Sequence, residues 1–169
     1  GYLTQRGSTY NAYLIVDEQV TLIDTVKHYL YDELIERISK VIDPAEIDYI
    51  VSNHVEMDHS GGLPKLLEVA ENATVVTSPK GKEGLEQHYQ TDDWSFEVAT
   101  PGKNLDLGAK SLDFVLTPMV HWPDNMVTYL PEEQILFSND AFGQHLASSE
   151  RFADEYELDI VMEEAKKYY

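Results

Sequence analysis

The 169-residue sequence contains no cysteine. Disulfides, thiolate-bound zinc and cysteine-ligated iron–sulfur clusters are therefore excluded. Basic residues are scarce, with 12 Lys and Arg against 31 Asp and Glu, for a formal charge of −19 and a pI near 4.4. This balance argues against binding nucleic acid or an anionic membrane through a basic face, and is compatible with a basic or electron-carrying partner. No apolar run approaches the roughly 20 residues that cross a bilayer. No signal peptide is visible, so the default compartment is the cytoplasm. Among the nine glycines there is no phosphate-cradling loop for a flavin. Internal repeats, low-complexity tracts and linkers are also missing before about residue 150.

What is present is a chain 43% apolar and long enough for one domain with its own core. Residues 8–16 and 20–24 are rich in β-formers around the turn Asp17-Glu18-Gln19, which predicts a hairpin. Asp24-Thr25 then starts a helix through about Ile38, with Tyr31, Leu34, Ile35 and Ile38 at helical spacing. Asp43-Pro44 is a turn, and the β-branched run 47–52 reads as a buried strand. Further on, the sequence predicts helix 63–69, strand 73–77, and helix 79–89 with Ser78 as cap and Pro79 at its first position. Strands follow at 96–98, 112–116, 126–130 and 134–138, with Gly102, Gly108 and Glu132-Glu133 at turns, and a last helix covers 158–167.

The chain is organised around VSNHVEMDHSGG, residues 51–62. Four metal-ligating side chains fall within six residues there: His54, Glu56, Asp58 and His59. If the backbone stays extended past the strand end, 54, 56 and 58 point one way, and His59 turns into the next helix. Any one of these residues alone would read as a solvated loop group. Four together, between apolar runs, would repel without a cation to hold them. A second constellation, Pro118–Asp124, places His121 between two predicted strands, and the strand 134–138 delivers Asn139-Asp140.

The cluster H-x-E-x-D-H at 54–59 resembles the signature of the metallo-β-lactamase fold, in the variant found in flavodiiron proteins, which reduce dioxygen or nitric oxide at a non-haem di-iron centre. The likeness extends to GYLTQRGSTYNAYLI, to LIDTV, to His121 with Trp-Pro behind it, and to Asp140. It covers essentially the whole chain. It implies an α/β fold, a metallo-β-lactamase-like αββα sandwich incomplete at both ends. Residues 1–169 would form part of the di-iron domain, and the flavodoxin-like FMN domain would not be among them. By resemblance His54, Glu56 and His121 bind one metal, Asp58 and His59 the other, and Asp140 bridges the two. A Glu at position 56, where zinc hydrolases carry His, is a hard oxygen donor that moves preference toward iron. Asp124 and Asn125 are expected to hold ligating imidazoles from behind. His145 belongs to a segment that also resembles the family and is expected to be structural or to support a ligand from behind, not to bind metal, while His28 and His88 are expected to be surface residues.

The implied cofactors are two non-haem irons, with FMN only in the missing domain or a partner subunit. The implied partners are dioxygen or nitric oxide and a rubredoxin-like or flavin electron donor, in a homodimeric full-length protein. One further histidine ligand of the family would lie beyond residue 169. An oxygen-binding sensor using the same site and a zinc-dependent hydrolase are the alternative functions. The sensor shares the ligand set; Glu56 speaks against the hydrolase.

Overall fold

The computed structural model describes residues 4–168, which divide into two compact units, one of residues 11–141 and one of residues 4–10 with 142–168. The larger unit holds two sheets. The first has the order β1 (Tyr13–Ile15), β2 (Thr21–Ile23), β3 (Tyr49–Ser52), β4 (Thr74–Thr77), β5 (Ser95–Val98). β1 and β2 are the expected antiparallel hairpin, and β2 to β5 run parallel. Each parallel step needs a crossover, supplied by α1 (Tyr31–Ile38), by α2 (Met57–Ser60) with α3 (Leu63–Leu67), and by α4 (Pro79–His88). Because the strands advance in one direction and such crossovers are right-handed, these helices share one face of the sheet.

Register explains why both faces are apolar. Ile23, Val51 and Val76 lie side by side across β2, β3 and β4, and Leu22, Ile50 and Val75 form the neighbouring row on the opposite face. All six are at most 1% exposed, as a parallel sheet covered on both sides requires. The first row faces the second sheet, an antiparallel meander of β6 (Asn104–Asp106), β7 (Ser111–Leu116), β8 (Met126–Leu130) and β9 (Ile135–Phe137). Leu105, Leu112, Phe114, Met126, Leu130 and Phe137 meet it in a single inter-sheet core. Helices, sheet and sheet are therefore stacked in the order of a metallo-β-lactamase-like sandwich. Each fully buried Val or Leu in this core contributes about 1.5–3 kcal/mol.

Two local expectations are corrected. The helix expected from Asp24-Thr25 begins later, as a 3-10 turn at His28–Leu30 leading into α1 at Tyr31. Asp24 and Thr25 are buried, 4% and 2% exposed, and are used in the interior instead of as a cap. Strand β6 had no counterpart in the sequence reading, since only Leu105 of its three residues turns inward. Ser78 does cap α4, accepting from Gly81 N at 2.8 Å with Pro79 behind it. In the smaller unit, Arg6 Nε donates to Glu164 Oε1 at 2.9 Å and Ala147 N to the Arg6 carbonyl at 2.8 Å, joining its two chain segments under α5 (Leu158–Tyr168).

Candidate metal centre

The cluster stands at the ends of strands from both sheets. β3 stops at Ser52, and Asn53 is then gripped on every side. Its backbone N–H and side-chain amide donate to the two Asp24 oxygens at 2.8 and 2.9 Å. Its carbonyl accepts from Met126 N at 3.0 Å, and its Oδ1 from Thr128 Oγ1 at 2.7 Å. Asn53 thus pins the end of the first sheet to β8 of the second, and His54 follows it with no exposed surface. The expected extended run does not continue to Asp58. The chain turns at Glu56 into the single helical turn α2, so Asp58 and His59 leave from a helix. Gly61 closes that turn, and a Cβ there would collide with the Met57 carbonyl and come within 2.8 Å of His28 N.

These elements bring together all six side chains singled out in the sequence. The ligating atoms of His54, Glu56, His121 and Asp140 lie within 4.8 Å of one another, an arrangement that could hold a metal ion. Within it, His54 Nε2 is 3.3 Å and His121 Nε2 3.5 Å from Glu56 Oε2, and His121 Nε2 is 3.3 Å from Asp140 Oδ2. The other Asp140 oxygen, Oδ1, faces His59 Nε2 at 3.1 Å, and the same nitrogen is 3.7 Å from Asp58 Oδ2. One carboxylate therefore addresses two groups of donors with its two oxygens. Asp58 Oδ1 is buried and has no hydrogen-bond partner among the described residues, a costly state for a carboxylate oxygen unless a cation takes it.

Charges in the cluster are strongly coupled. Burial works against charging His54, but hydrogen bonds to Asp124 and Glu56 outweigh it and push its pKa up to about 9. His59 is likewise raised, burial being overcome by Asp140, Asp58 and Asp24. Burial would raise Asp140, yet His59 and the other two imidazoles hold it down at about 2. Glu56 is lowered, chiefly by its hydrogen bond from His54. In the metal-free protein protons stand where cations would bind, so loading a metal must expel them.

Behind the cluster, Asp124 Oδ2 takes His54 Nδ1–H at 2.9 Å and Val55 N–H at 2.8 Å, which leaves His54 Nε2 toward the centre. Asn125 serves differently from the expectation: its Oδ1 accepts from Trp122 N at 2.7 Å and shapes the loop that carries His121. That loop includes a cis peptide at Val120–His121 and a positive φ of 67° at Met119. The Trp122 ring meets His54 edge-on with centroids 5.2 Å apart. His28 and His88 stand on a 3-10 turn and at the end of α4, outside the cluster, and His145 belongs to the smaller unit.

Sequence reasoning missed three supports. Thr25 donates to the His59 carbonyl from its backbone N–H at 3.0 Å and again from its hydroxyl. Asn139, at φ 49°, accepts Asp140 N–H at its Oδ1 (2.6 Å) and sets its Nδ2 at 3.4 Å from His59 Nδ1. Ser60 Oγ contacts the Val55 carbonyl at 2.7 Å and the Tyr89 hydroxyl at 2.9 Å, tying α4 to the ligand loop. The one local signal was the placement of Asp and Asn at strand ends, where short polar side chains tolerate φ above zero.

The family model described as ODP family beta lactamase matches residues 9–169. A nitric oxide reductase of Moorella thermoacetica is 45% identical over 168 residues, covering 99% of this chain and 42% of that protein. A rubredoxin-oxygen oxidoreductase of Megalodesulfovibrio gigas is 44% identical over 170 residues, covering 100% of this chain and 42% of that protein. The crystal structure of the flavodiiron protein from Giardia intestinalis superposes with a TM-score of 0.96 at 41% identity, covering 99% of this chain and 41% of that one. The chain spans about two fifths of the length of the curated relatives it matches.

Proposed function

The chain belongs to the ODP family of beta-lactamase domains, the family of the flavodiiron proteins, and from that membership we propose that it is the di-iron domain of a cytoplasmic oxygen or nitric oxide reductase. The observation that carries this reading is Asp140, whose two oxygens face separate sets of donors across the cluster. In this reading His54, Glu56 and His121 would hold one iron and Asp58 and His59 the other, with Asp140 offering an oxygen toward each. The donor set fits: three imidazoles and three carboxylates suit iron better than zinc, and the buried, unpaired Asp58 Oδ1 gains a partner. A ferrous pair bound there supplies two electrons at once to a diatomic gas.

The protein's own residues do the rest. Asp124 keeps the His54 proton on Nδ1 and so presents Nε2. Trp122 packs edge-on against the fully buried His54, while Glu56 and His121, each 38% exposed at the side chain, leave an open side for the gas. Electrons come from a flavin or a rubredoxin-like carrier, a role suggested by the names of the rubredoxin-oxygen oxidoreductase and flavorubredoxin relatives. FMN enters with another domain or a partner subunit of a homodimer.

Elemental analysis after anaerobic ferrous loading, followed by exposure to each gas, tests the proposal. Two irons per chain and an absorbance change with oxygen or nitric oxide are expected. One metal or none sinks it, and two zincs with thioester or lactam hydrolysis transfer the chain to the hydrolases.

A further inference from the structure

The donors of the cluster are carried on unequal frames. His54, Glu56 and His121 are drawn from two separate loops, whereas Asp58 and His59 both leave from α2, a single turn of four residues. A turn this short has too few bonds of its own to persist, and its last carbonyls find no partner within it. His59 N and Ser60 N reach the Glu56 carbonyl at 2.9 Å each, and Gly61 N the Met57 carbonyl at 3.1 Å. A further hold on it comes from outside, just past the end of β2. Thr25, 2% exposed, gives the His59 carbonyl two hydrogen bonds, from its backbone N–H at 3.0 Å and from its hydroxyl at 2.5 Å. We propose that Thr25 is the positioning residue of the Asp58–His59 pair: its hydroxyl locks the turn that carries both, and so builds the second metal position before any metal arrives.

The surroundings support the same assignment. Gly62 N donates to the Val26 carbonyl at 2.7 Å, so residues 25–26 and 59–62 are joined at two successive points. A Cβ on Gly62 would come within 3.3 Å of that carbonyl, and glycine lets the two segments lie this close. Thr25 is itself held firmly, because Asp24 before it donates from its N–H to the Val51 carbonyl at 2.8 Å and grips Asn53 with its carboxylate. The clamp therefore passes the position of β2 and β3, parallel neighbours in the first sheet, on to α2. Both Thr25 donors end on His59. Loss of the hydroxyl therefore bears on the Asp58–His59 position and leaves the other position its own supports, Asp124 behind His54 and Asn125 under the His121 loop.

The inference rests on the di-iron reading above, and the test separates the two. Thr25→Val keeps the branched shape and the backbone bond and removes the hydroxyl, while Thr25→Ser keeps the hydroxyl. Both variants and the unaltered protein are titrated anaerobically with ferrous iron, and metal per chain, magnetic coupling and urea unfolding are measured. Parallel loading with zinc lets NMR of the ring nitrogens show which imidazoles are bound. Two coupled irons are expected in the unaltered protein and in Thr25→Ser. In Thr25→Val the first iron should bind as before and the second about 10–100-fold more weakly, with His59 the imidazole released. Unchanged affinity for the second iron in Thr25→Val overturns the role of the hydroxyl. Equal weakening of both positions overturns it too, since Thr25 would then be a matter of stability alone, as does a Thr25→Ser as defective as Thr25→Val. Fewer than two irons in the unaltered protein overturns the di-iron reading beneath it. If that reading falls, or if Thr25→Val does not fold, hydrogen exchange of the metal-free unaltered protein decides. The Thr25 and Gly62 amides should then exchange only through global unfolding, and fast exchange of either overturns the clamp.

Discussion

Replacing Asp124 with Asn asks whether a carboxylate, and not only an acceptor of the right shape, must stand behind His54. Two donors reach the Asp124 carboxylate, His54 Nδ1 and Val55 N, and both use the same oxygen, Oδ2, at 2.9 and 2.8 Å. An asparagine carbonyl in that position still accepts both, so the fold is expected to survive and the charge alone to be lost. Two effects on metal affinity then oppose each other. Loss of the anion weakens His54 as a donor, by about 10–100-fold for groups of this kind. The same anion, however, holds a proton on metal-free His54 up to about pH 9. At pH 7 a metal must displace that proton across about two pH units, a penalty on the order of 100-fold. In Asp124→Asn the His54 pKa falls back toward its ordinary value and most of the penalty goes with it. Between pH 7 and 8.5 the affinity of the unaltered protein gains on the order of 20-fold from His54 deprotonation, while the variant gains little from it. His59, also raised by its carboxylates, contributes to both proteins alike. Competition titrations with a chelator at several pH values measure the slopes, and the variant's slope should be shallower by about one proton. Parallel slopes would refute the reasoning, because Asp124 would then not be what holds the His54 proton.

Asp140→Asn should take iron from two per chain to one and abolish magnetic coupling, since a neutral amide bridges cations poorly; two coupled irons would refute the bridge. Glu56→His removes the hard oxygen donor and should shift competition between ferrous iron and zinc toward zinc by about tenfold or more, read from metal content after loading from an equimolar mixture. Unaltered selectivity would remove the argument from donor hardness. Tyr89→Phe loses the hydroxyl that meets Ser60 Oγ at 2.9 Å and should cost about 1 kcal/mol in urea unfolding, with metal content unchanged. A loss of metal with no loss of stability would show that Tyr89 acts on the site and not on the fold.

Much of this architecture was legible because its signals are local. A β-branched run such as 47–52 announces a buried strand, and four donors packed into 54–59 mark a candidate cation site whatever the fold. His121 and Asp140 became legible only through resemblance, since one His and one Asp beside strands carry no pattern of their own. The helical turn at Met57–Ser60 was not visible: four residues are too few for an apolar period, and the turn is held by the Ser60 contact to the Val55 carbonyl. Asp24 and Thr25 have the composition of a helix cap, yet their partners, Asn53 and His59, lie about thirty residues away in sequence. Where a polar side chain has two satisfactory uses, the tertiary structure chooses. Here it chose the buried one, next to the cluster.

The placement of the aromatic side chains has an optical consequence. The chain has two tryptophans. Trp122 lies edge-on to His54, and Trp94 stacks on Tyr89 with centroids 5.9 Å apart, one hydrogen bond from Ser60. Both emitters are thus wired to the ligand loop, one directly and one through α4. Iron held at the proposed site would drain the excited indoles, so its occupancy and oxidation state could be followed as a change in intrinsic fluorescence. The protein carries its own label for stopped-flow work, at the position where an attached dye would disturb the chemistry.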